Sequence, residues 1–291
     1  MVNAAKWDVL ILDLDGTLLC SKGEVSDQNL NALDIVRRSG VEVIVATGRC
    51  FAECKHVLDA IDHDGVCVTA GGSQLTDSNG KPIARDVVDE SVVQEVTEQV
   101  IAGGHRVLLL KDATVCDTQY VLVGDATLND ASTWWFDTLG VSTVEVGLIE
   151  DDPWRGETLR VGAVACENDL LPIADSLRTS LNGRAKLQHW SAVTCSQATG
   201  SSTHLLEVFG HEVNKWRMVE RHLGNTLNPE RIVAIGDGLN DIEILREAGL
   251  SIVMENATQD VQQHANVITT HHNADGFAHA MHRWVIQKEL P

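Results

Sequence analysis

Near the N-terminus, short apolar runs alternate with segments of helical periodicity, and this alternation limits the possible folds more than any other feature of the sequence. Such runs are typical of strands that are buried on both faces of a sheet. We predict strands at 8–12, 41–46 and 66–70 and helices at 26–39 and 51–61. This order of elements predicts an α/β fold with a doubly wound, mainly parallel sheet.

The same alternation returns near the C-terminus, whereas the middle of the chain has a different pattern. C-terminal strands are predicted at 232–235, 250–254 and 266–269, and helices at 241–248, 258–264 and 275–287. In the middle, hairpin-like strands are predicted at 106–111, 114–123, 159–165, 186–190 and 193–197, and helices at 91–102, 126–139 and 168–181. We therefore predict an α/β core formed by residues 1–80 and 204–291, with an inserted α+β domain at 81–203.

The composition argues against two classes of partner. The 291 residues include 22 Lys and Arg against 42 Asp and Glu, a formal net charge of −20. This charge repels nucleic-acid backbones and anionic membrane surfaces, so neither is an expected partner. It also opposes a phosphorylated metabolite, so a phosphate site would need local cations.

The sequence predicts a cytoplasmic protein. No secretory signal is predicted at the N-terminus, and no apolar run reaches the roughly 18 residues of a candidate membrane span. The seven cysteines are scattered and include no Cys-x-x-Cys pair. We expect reduced thiols, most of them small buried apolar residues.

Two carboxylates and a glycine turn follow the first predicted strand. Asp13 and Asp15 stand two positions apart, so both can be presented where the chain leaves the sheet, one as a nucleophile and one as a proton donor. The next strand ends at Thr47 and Gly48, where a hydroxyl and the N–H groups of a helix N-terminus can bind phosphate oxygens. Alone, each motif is also compatible with an ordinary loop or helix cap.

Polar residues follow a core strand in the C-terminal half as well. Asp237, Asn240 and Asp241 lie in a glycine-containing turn, and Lys215 opens a predicted helix before that strand. Two carboxylates about 4 Å apart repel each other by about 4 kcal/mol at an effective dielectric constant near 20. If these aspartates share the strand-end crevice with Asp13, the site needs a divalent cation or a protonated carboxylate. Oxygen ligands favour Mg²⁺ over Zn²⁺.

Taken together, the four motifs resemble those of the haloacid dehalogenase superfamily of phosphohydrolases. The superfamily motifs are Asp-x-Asp-Gly-Thr, a strand-end Thr or Ser, a Lys, and Gly-Asp-x-x-x-Asp, and all occur here in order. Thr47 follows Asp13 by 34 positions, which leaves no room for a cap domain, whereas Lys215 follows Thr47 by 168 positions. This insertion point is similar to that of the type IIB, or Cof-like, subfamily, whose α+β cap follows the second motif.

The resemblance implies a role for each residue of the first three motifs. Asp13 would attack phosphorus, form an aspartyl-phosphate and ligate Mg²⁺. Asp15 would protonate the leaving oxygen, then activate water, and contribute its backbone carbonyl to the metal. Thr47 and Gly48 would hold phosphoryl oxygens, and Lys215 would neutralise the nucleophile and the phosphate.

The last motif would complete the metal site. By the same resemblance, Asp237 would ligate Mg²⁺, Asp241 would be a further ligand or support one, and Asn240 would contact phosphate. One departure stands out, because Gly71 occupies a position at which the subfamily usually carries Asn. A substrate contact expected from that Asn is therefore in doubt here.

Several functions remain open at this point. We expect a Mg²⁺-dependent phosphatase that acts on a small phosphorylated metabolite, with a sugar phosphate as the default. A phosphomutase would share the aspartyl chemistry, and a non-catalytic phosphate-sensing protein would be expected to have lost residues that are present here. A dehalogenase would not need Asp15, and a nicotinamide-dependent dehydrogenase lacks its Gly-x-Gly-x-x-Gly motif.

Two further clusters are interpreted as structural. The aromatic residues at 134–136 are spaced for a helix and are expected in the core rather than stacked on a sugar. His271 and His272 are expected to be polar surface in a loop that leads into the last helix.

Overall fold

The structure, a computed structural model, describes residues 6–191 and 203–286. The described strands are β1 (Val9–Leu12), β2 (Glu42–Ala46), β3 (Cys67–Thr69), β4 (Gln74–Thr76), β5 (Pro82–Arg85), β6 (Val107–Lys111), β7 (Tyr120–Val123), β8 (Thr143–Val146), β9 (Thr158–Ala165), β10 (Ala185–Ser191), β11 (His204–Gly210), β12 (Ile232–Gly236), β13 (Leu250–Met254) and β14 (Val267–Thr269). The described helices are α1 (Asp27–Arg38), α2 (Phe51–Ala60), α3 (Glu90–Ala102), α4 (Ala113–Cys116), α5 (Asp130–Leu139), α6 (Glu167–Leu181), α7 (Lys215–Leu223), α8 (Ile242–Glu247), α9 (Gln259–Gln262) and α10 (Gly276–Ala280). Short 3₁₀ turns lie at Ala70–Gly72, Ile149–Asp151, Gly224–Thr226, Pro229–Arg231, Leu239–Asp241 and His272–Ala274, and a π-helical turn at Met281–Val285.

The chain divides into two compact units, Met1–Ala84 with Asn214–Pro291 and Arg85–Val213. The first is built on an eight-stranded sheet in the order β14-β13-β12-β1-β2-β3-β4-β5. Pairing from β14 to β3 is parallel, and β4 runs antiparallel to β3. Leu10 and Leu12 of β1 belong to a hydrophobic cluster on one face, and Val9 and Ile11 belong to a cluster on the other. The predicted doubly wound, mainly parallel sheet is confirmed.

The register of the central strands brings their carboxyl ends to one edge of the sheet. β1 lies between β12 and β2, and Leu12 of β1 is opposite Ile235 on one side and Val45 on the other. The residues that follow these three strands therefore emerge side by side. This is the edge at which open α/β sheets bind ligands.

The second unit has a six-stranded sheet in the order β10-β11-β9-β6-β7-β8. Its neighbouring strands are antiparallel except β7 and β8, which are parallel. Side chains of α3 and α6 pack on it in a single hydrophobic cluster. Because β11 pairs with both β9 and β10, the unit extends to Val213, beyond the boundary predicted at 203.

Local signals explain where individual elements differ from the sequence predictions. The strand predicted at 114–123 is instead α4 followed by β7, because the Asp112 side chain accepts a hydrogen bond from the N–H of Thr114, 3.0 Å, and starts a helical turn. Asn129 caps α5 in the same way, so that helix begins later than predicted. Strands β4, β5, β8 and β11 were not predicted. The strand predicted at 193–197 lies outside the described residues.

The aromatic cluster on α5 is only partly buried. Phe136 is buried and its ring lies 5.0 Å from that of Tyr120. Trp134 is 37% exposed, so the expectation of a core position is wrong for this residue. Throughout the described residues, every helix is too short or too polar to cross a membrane.

Candidate active site

Three aspartates meet beyond the carboxyl ends of two neighbouring strands. Asp13 directly follows β1, and Asp237 and Asp241 lie just beyond β12. One carboxylate oxygen from each lies within 4.8 Å of the others. The three converge because β1 and β12 are adjacent and parallel. The structure thus brings together three of the residues that the sequence singled out.

Lys215 joins two of these carboxylates. It is the first residue of α7 and its side chain is fully buried. Its Nζ donates to Oδ1 of Asp13, 2.7 Å, and to Oδ1 of Asp241, 2.6 Å. Burial alone would lower the pKa of the Lys215 ammonium, but the charges of Asp13 and Asp241 outweigh it and raise that pKa. The ammonium therefore stays charged at neutral pH.

Asp241 is also held by the backbone of its own turn. Its Oδ2 accepts from the N–H of Asp237, 3.1 Å, and from the N–H of Gly238, 2.9 Å. Together with Lys215, these donors engage both oxygens of the carboxylate. Asp241 therefore shapes the turn after β12 and helps to fix the position of the Lys215 ammonium.

The cluster holds more negative charge than Lys215 balances. Burial, followed by repulsion from Asp241, raises the pKa of Asp13 well above its usual value, although Lys215 opposes the shift. Burial and the charge of Asp241 raise the pKa of Asp237 to about 7. Both shifts favour uptake of a positive charge at this place. A donor set made only of carboxylate oxygens suits a hard divalent cation.

Two neutral side chains hold Asp237. The sequence analysis included Thr17 in its first motif without giving it a role, and it did not consider Asn256. Thr17 Oγ1 donates to Oδ1 of Asp237, 3.2 Å, and Asn256 Nδ2 donates to Oδ2, 2.9 Å. Gly16 adopts a φ of +73°, and a Cβ there would overlap the Asp237 carboxylate. The glycine between Asp15 and Thr17 therefore lets the loop after β1 approach Asp237 closely.

The carboxylate of Asp15 is bound by an arginine and does not join the three aspartates. Arg49 Nε donates to Oδ2 of Asp15, 2.8 Å, and Arg49 Nη2 to Oδ1, 2.5 Å. Arg49 Nη1 also donates to the carbonyl of Glu53, 3.2 Å. The Asp15 side chain remains 37% exposed. The sequence analysis gave Arg49 no role, although it adjoins the Thr47–Gly48 motif. Arg49 and Asp15 lie in loops far apart in the sequence, and nothing local in either loop indicates that the two side chains meet.

Thr47, Gly48 and Asn240 lie close to one another on the same edge. Thr47 follows β2, is fully buried, and accepts through Oγ1 from the N–H of Arg49, 3.1 Å. A Cβ added to Gly48 would stand 3.2 Å from Nδ2 of Asn240, so this amide lies directly against the Gly48 backbone. The hydroxyl, the backbone N–H groups and the amide are all groups that can bind phosphate oxygens.

The glycine pair after β3 shapes the backbone beside this edge. Gly71 has a φ of +67° and its N–H donates to the carbonyl of Thr47, 3.1 Å. Glycine and asparagine are the residues that enter this left-handed region most readily, so Gly71 can form the turn that Asn would form. A Cβ on Gly72 would overlap the backbone of Asn214, which caps α7. The turn therefore packs tightly against the start of the Lys215 helix.

Comparison with known proteins identifies similar sequences and folds. Residues 10–281 match the model of a family described as haloacid dehalogenase-like hydrolase. The chain is 27% identical over 281 residues to the 5-amino-6-(5-phospho-D-ribitylamino)uracil phosphatase YcsE of Bacillus subtilis (strain 168), with 96% of both chains covered. It is 27% identical over 285 residues to the HMP-PP phosphatase of Yersinia pseudotuberculosis, covering 96% of this chain and 95% of that protein. The fold is similar to that of the haloacid dehalogenase subclass IIB sugar phosphatase BT4131, with a TM-score of 0.75, 19% identity and coverage of 96% and 100%.

Proposed function

The chain belongs to the haloacid dehalogenase-like hydrolase family, and from this membership we propose that it is a Mg²⁺-dependent phosphatase that hydrolyses a small phosphorylated metabolite through an aspartyl-phosphate on Asp13. One observation carries the proposal. The ammonium of Lys215 bridges Asp13 and Asp241, and an oxygen of Asp237 lies within 4.8 Å of theirs. Phosphoryl transfer needs a positioned nucleophile and a concentration of positive charge. Lys215 positions Asp13, and the excess of carboxylates is arranged to bind the cation that would supply the remaining positive charge.

Asp13 is the proposed nucleophile. A carboxylate oxygen of Asp13 attacks phosphorus, and the bond between phosphorus and the ester oxygen breaks. Lys215, which donates to Oδ1 of Asp13, holds the carboxylate in place and reduces its repulsion for the incoming phosphate. Because burial raises the pKa of Asp13, this role requires further positive charge to keep it ionised.

A divalent cation is the proposed source of that charge. Asp13 and Asp237 would hold it with the backbone carbonyl of Asp15, and Asp241 would support the site through Lys215 and the turn after β12. When bound, the cation neutralises the carboxylates and polarises the phosphoryl oxygens. Oxygen donors together with waters and phosphate are the ligands that Mg²⁺ prefers, and we therefore propose Mg²⁺.

Asp15 is the proposed acid and base. In the first half-reaction its carboxyl group gives a proton to the leaving oxygen. In the second, the carboxylate takes a proton from a water that attacks phosphorus, so that inorganic phosphate leaves and Asp13 is regenerated. Arg49, which binds both oxygens of Asp15, orients this carboxyl group before the substrate arrives.

Thr47, Gly48 and Asn240 are the proposed contacts to the phosphoryl group. Thr47 Oγ1 accepts a hydrogen bond from the N–H of Arg49, so the hydroxyl hydrogen of Thr47 points away from that donor. The hydroxyl can therefore donate a hydrogen bond to a phosphate oxygen. The amide of Asn240 and the N–H of Gly48 can donate to other oxygens of the same group. These neutral donors select phosphate by geometry rather than by added charge.

We propose that the second unit, Arg85–Val213, selects the substrate. A core that binds only phosphate cannot distinguish one metabolite from another, and the inserted domain is the natural place for contacts to the rest of the molecule. A sugar phosphate is the favoured class. The name of YcsE describes a phosphorylated ribityl chain, and the structural neighbour BT4131 is named a sugar phosphatase.

A phosphate-release screen with trapping of the intermediate tests the proposal. Purified protein with Mg²⁺ should release inorganic phosphate from at least one sugar phosphate, and Asp13→Asn should release none above background. Borohydride added during turnover should reduce the aspartyl-phosphate on Asp13 to homoserine. Peptide mass spectrometry should detect homoserine at position 13. A phosphomutase would instead return the phosphoryl group to an organic acceptor. Wild-type protein that released no more phosphate than Asp13→Asn would overturn the proposal.

A further inference from the structure

Asn256 connects the acidic cluster to two neighbouring loops. It lies just after β13 and its Nδ2 donates to Oδ2 of Asp237, 2.9 Å, and to the carbonyl of Gly16, 2.9 Å. Its Oδ1 accepts from the backbone N–H of His272, 3.1 Å. The side chain of Asn256 thus connects its own loop, which follows β13, to the loops that follow β1, β12 and β14.

The partners of Asn256 determine which way its amide faces. A carboxylate and a carbonyl only accept, so the NH₂ group must face Asp237 and Gly16. A backbone N–H only donates, so the amide oxygen must face His272. The two N–H groups and the oxygen of the amide are therefore all used, and the side chain has a single favourable orientation.

The loop after β14 is itself anchored to the loop after β1. The ring Nδ1 of His272 donates to the carbonyl of Leu19, 2.7 Å. Further along, Asn273 Oδ1 accepts from the N–H of Ser21, 2.8 Å. The segment that we expected to be polar surface therefore helps to fix the backbone that contacts Asn256. The loop after β1 is bound at Gly16 by Asn256 and at Leu19 and Ser21 by the loop after β14.

We infer that Asn256 is a positioning residue that sets the cation affinity of the acidic cluster by fixing the carboxylate of Asp237. The inference rests on the proposed function, in which Asp13 and Asp237 hold a cation. Repulsion from Asp13 and Asp241 would turn a free Asp237 side chain away from the cluster. Asn256 and Thr17 hold one oxygen each and prevent this rotation.

The choice of an amide matters chemically. A lysine or arginine in this place would hold Asp237 equally well, but its charge would compete with the cation. An amide donates a hydrogen bond and leaves the negative charge of the carboxylate in place. Groups that orient a metal ligand in this way typically contribute about 10-fold to 100-fold to metal affinity.

Metal titration of Asn256→Ala tests the inference. Mg²⁺ binding to the metal-free full chain is measured by calorimetry, and Mn²⁺ binding by electron paramagnetic resonance. We expect the dissociation constant of both ions to rise about 10-fold or more. In steady-state assays the Mg²⁺ concentration for half-maximal activity should rise by the same factor, while kcat at saturating Mg²⁺ is largely retained.

Asn273→Ala is the matched control. It also removes an amide that connects the loop after β14 to the loop after β1, but Asn273 contacts Ser21 and not Asp237. Its Mg²⁺ affinity should equal that of the wild type. Asp237→Asn is the opposite control and should lose most Mg²⁺ binding.

Each outcome has a distinct meaning. Wild-type affinity in Asn256→Ala, or equal weakening in Asn256→Ala and Asn273→Ala, would overturn the inference and leave the proposed function intact. Wild-type protein that binds neither ion would overturn the cation-dependent function instead. If circular dichroism shows Asn256→Ala to be unfolded, the milder Asn256→Ser is titrated. Unfolding of both, with Asn273→Ala folded, would assign Asn256 to the fold and also overturn the inference.

Discussion

Each unit of the protein contains a fully buried lysine, and the two lysines differ in how their charge is balanced. In the second unit, Lys111 Nζ donates to Oδ2 of Asp152, 2.6 Å, to the carbonyl of Trp154, 2.9 Å, and to the hydroxyl of Thr158, 2.8 Å. Here one positive charge meets one negative charge and two neutral acceptors. The three donors of the ammonium are all used, which is the condition for a stable buried ion pair.

The first unit uses its buried lysine differently. Lys215 meets two carboxylates, Asp13 and Asp241, and Asp237 lies beside them. This cluster keeps an excess of negative charge in a buried place, which is costly without a further cation. Burial of a lysine alone therefore does not indicate a catalytic role. The excess of negative charge around Lys215 suits a site that binds a cation, whereas the balanced charges around Lys111 suit an ion pair that stabilises the fold.

The largest expected difference is in catalytic activity, when each lysine is replaced by methionine. Lys215→Met should reduce kcat/KM on the order of 10³-fold or more, because the nucleophile loses its counter-ion and its anchor. Lys111→Met, assayed at a temperature at which it is folded, should keep kcat within a few-fold of the wild type. Phosphate release under saturating Mg²⁺ measures both. Equal losses in the two variants would contradict the distinction.

The two variants should also differ in how Mg²⁺ changes their free energy of unfolding. Lys111→Met leaves the buried Asp152 carboxylate without its counter-ion and should destabilise the second unit by about 3–5 kcal/mol. Replacing Asp152 by leucine in the same chain should recover most of this loss. Mg²⁺ should not rescue Lys111→Met but should partly rescue Lys215→Met, because only the latter lies at the proposed cation site. Urea unfolding with and without Mg²⁺ measures these differences.

A third variant compares ion pairs within the first unit. Asp15 is bound by Arg49 at a partly exposed place, unlike the buried Lys215 cluster. Asp15→Asn should slow hydrolysis of an alkyl phosphate by about 10²-fold or more, since its leaving group needs a proton. An aryl phosphate, whose leaving group is stable without one, should lose much less. Similar losses on both substrates would remove Asp15 from the role of acid.

The same comparison shows what the sequence could predict. Asp13 and Asp237 were placed at strand ends because a buried apolar run followed by a carboxylate is a local pattern. Lys215 was only a weak candidate from the residues alone, because a single lysine at the start of a helix carries no signal of burial, and the resemblance supplied its expected role. The buried ion pair of Lys111 and Asp152 was not noticed at all. Its partners lie 41 positions apart, and only the pairing of β6 with β9 brings their segments together.

Long-range contacts also explain the missed elements of the fold. Strands β5 and β8 have four residues each and are partly exposed, so their apolar positions are too few to signal a strand. The compact unit ends at Val213 because β11 belongs to it through pairing with β9 and β10, a long-range contact that no local feature of 204–210 reveals. The roles of Arg49 and Asn256 were missed for the same reason, because each pairs with a carboxylate in another loop.

The smallest effect is the pH dependence of the unbalanced cluster. With no cation bound, burial and the charge of Asp241 raise the pKa of Asp237 from its ordinary value of 3.8 to about 7. A raised pKa means that the folded state binds the proton more tightly than the unfolded state does, so this group contributes stability at low pH that is lost as pH rises towards 7. Between pH 5 and 8, wild-type protein should therefore lose more stability than Asp237→Asn, by on the order of 1 kcal/mol, because the amide does not titrate. Mg²⁺ should abolish the difference in slope by stabilising the ionised carboxylates. Parallel pH profiles for the two proteins in chelator, measured by urea unfolding, would show that Lys215 already balances the cluster and that no cation is needed to do so.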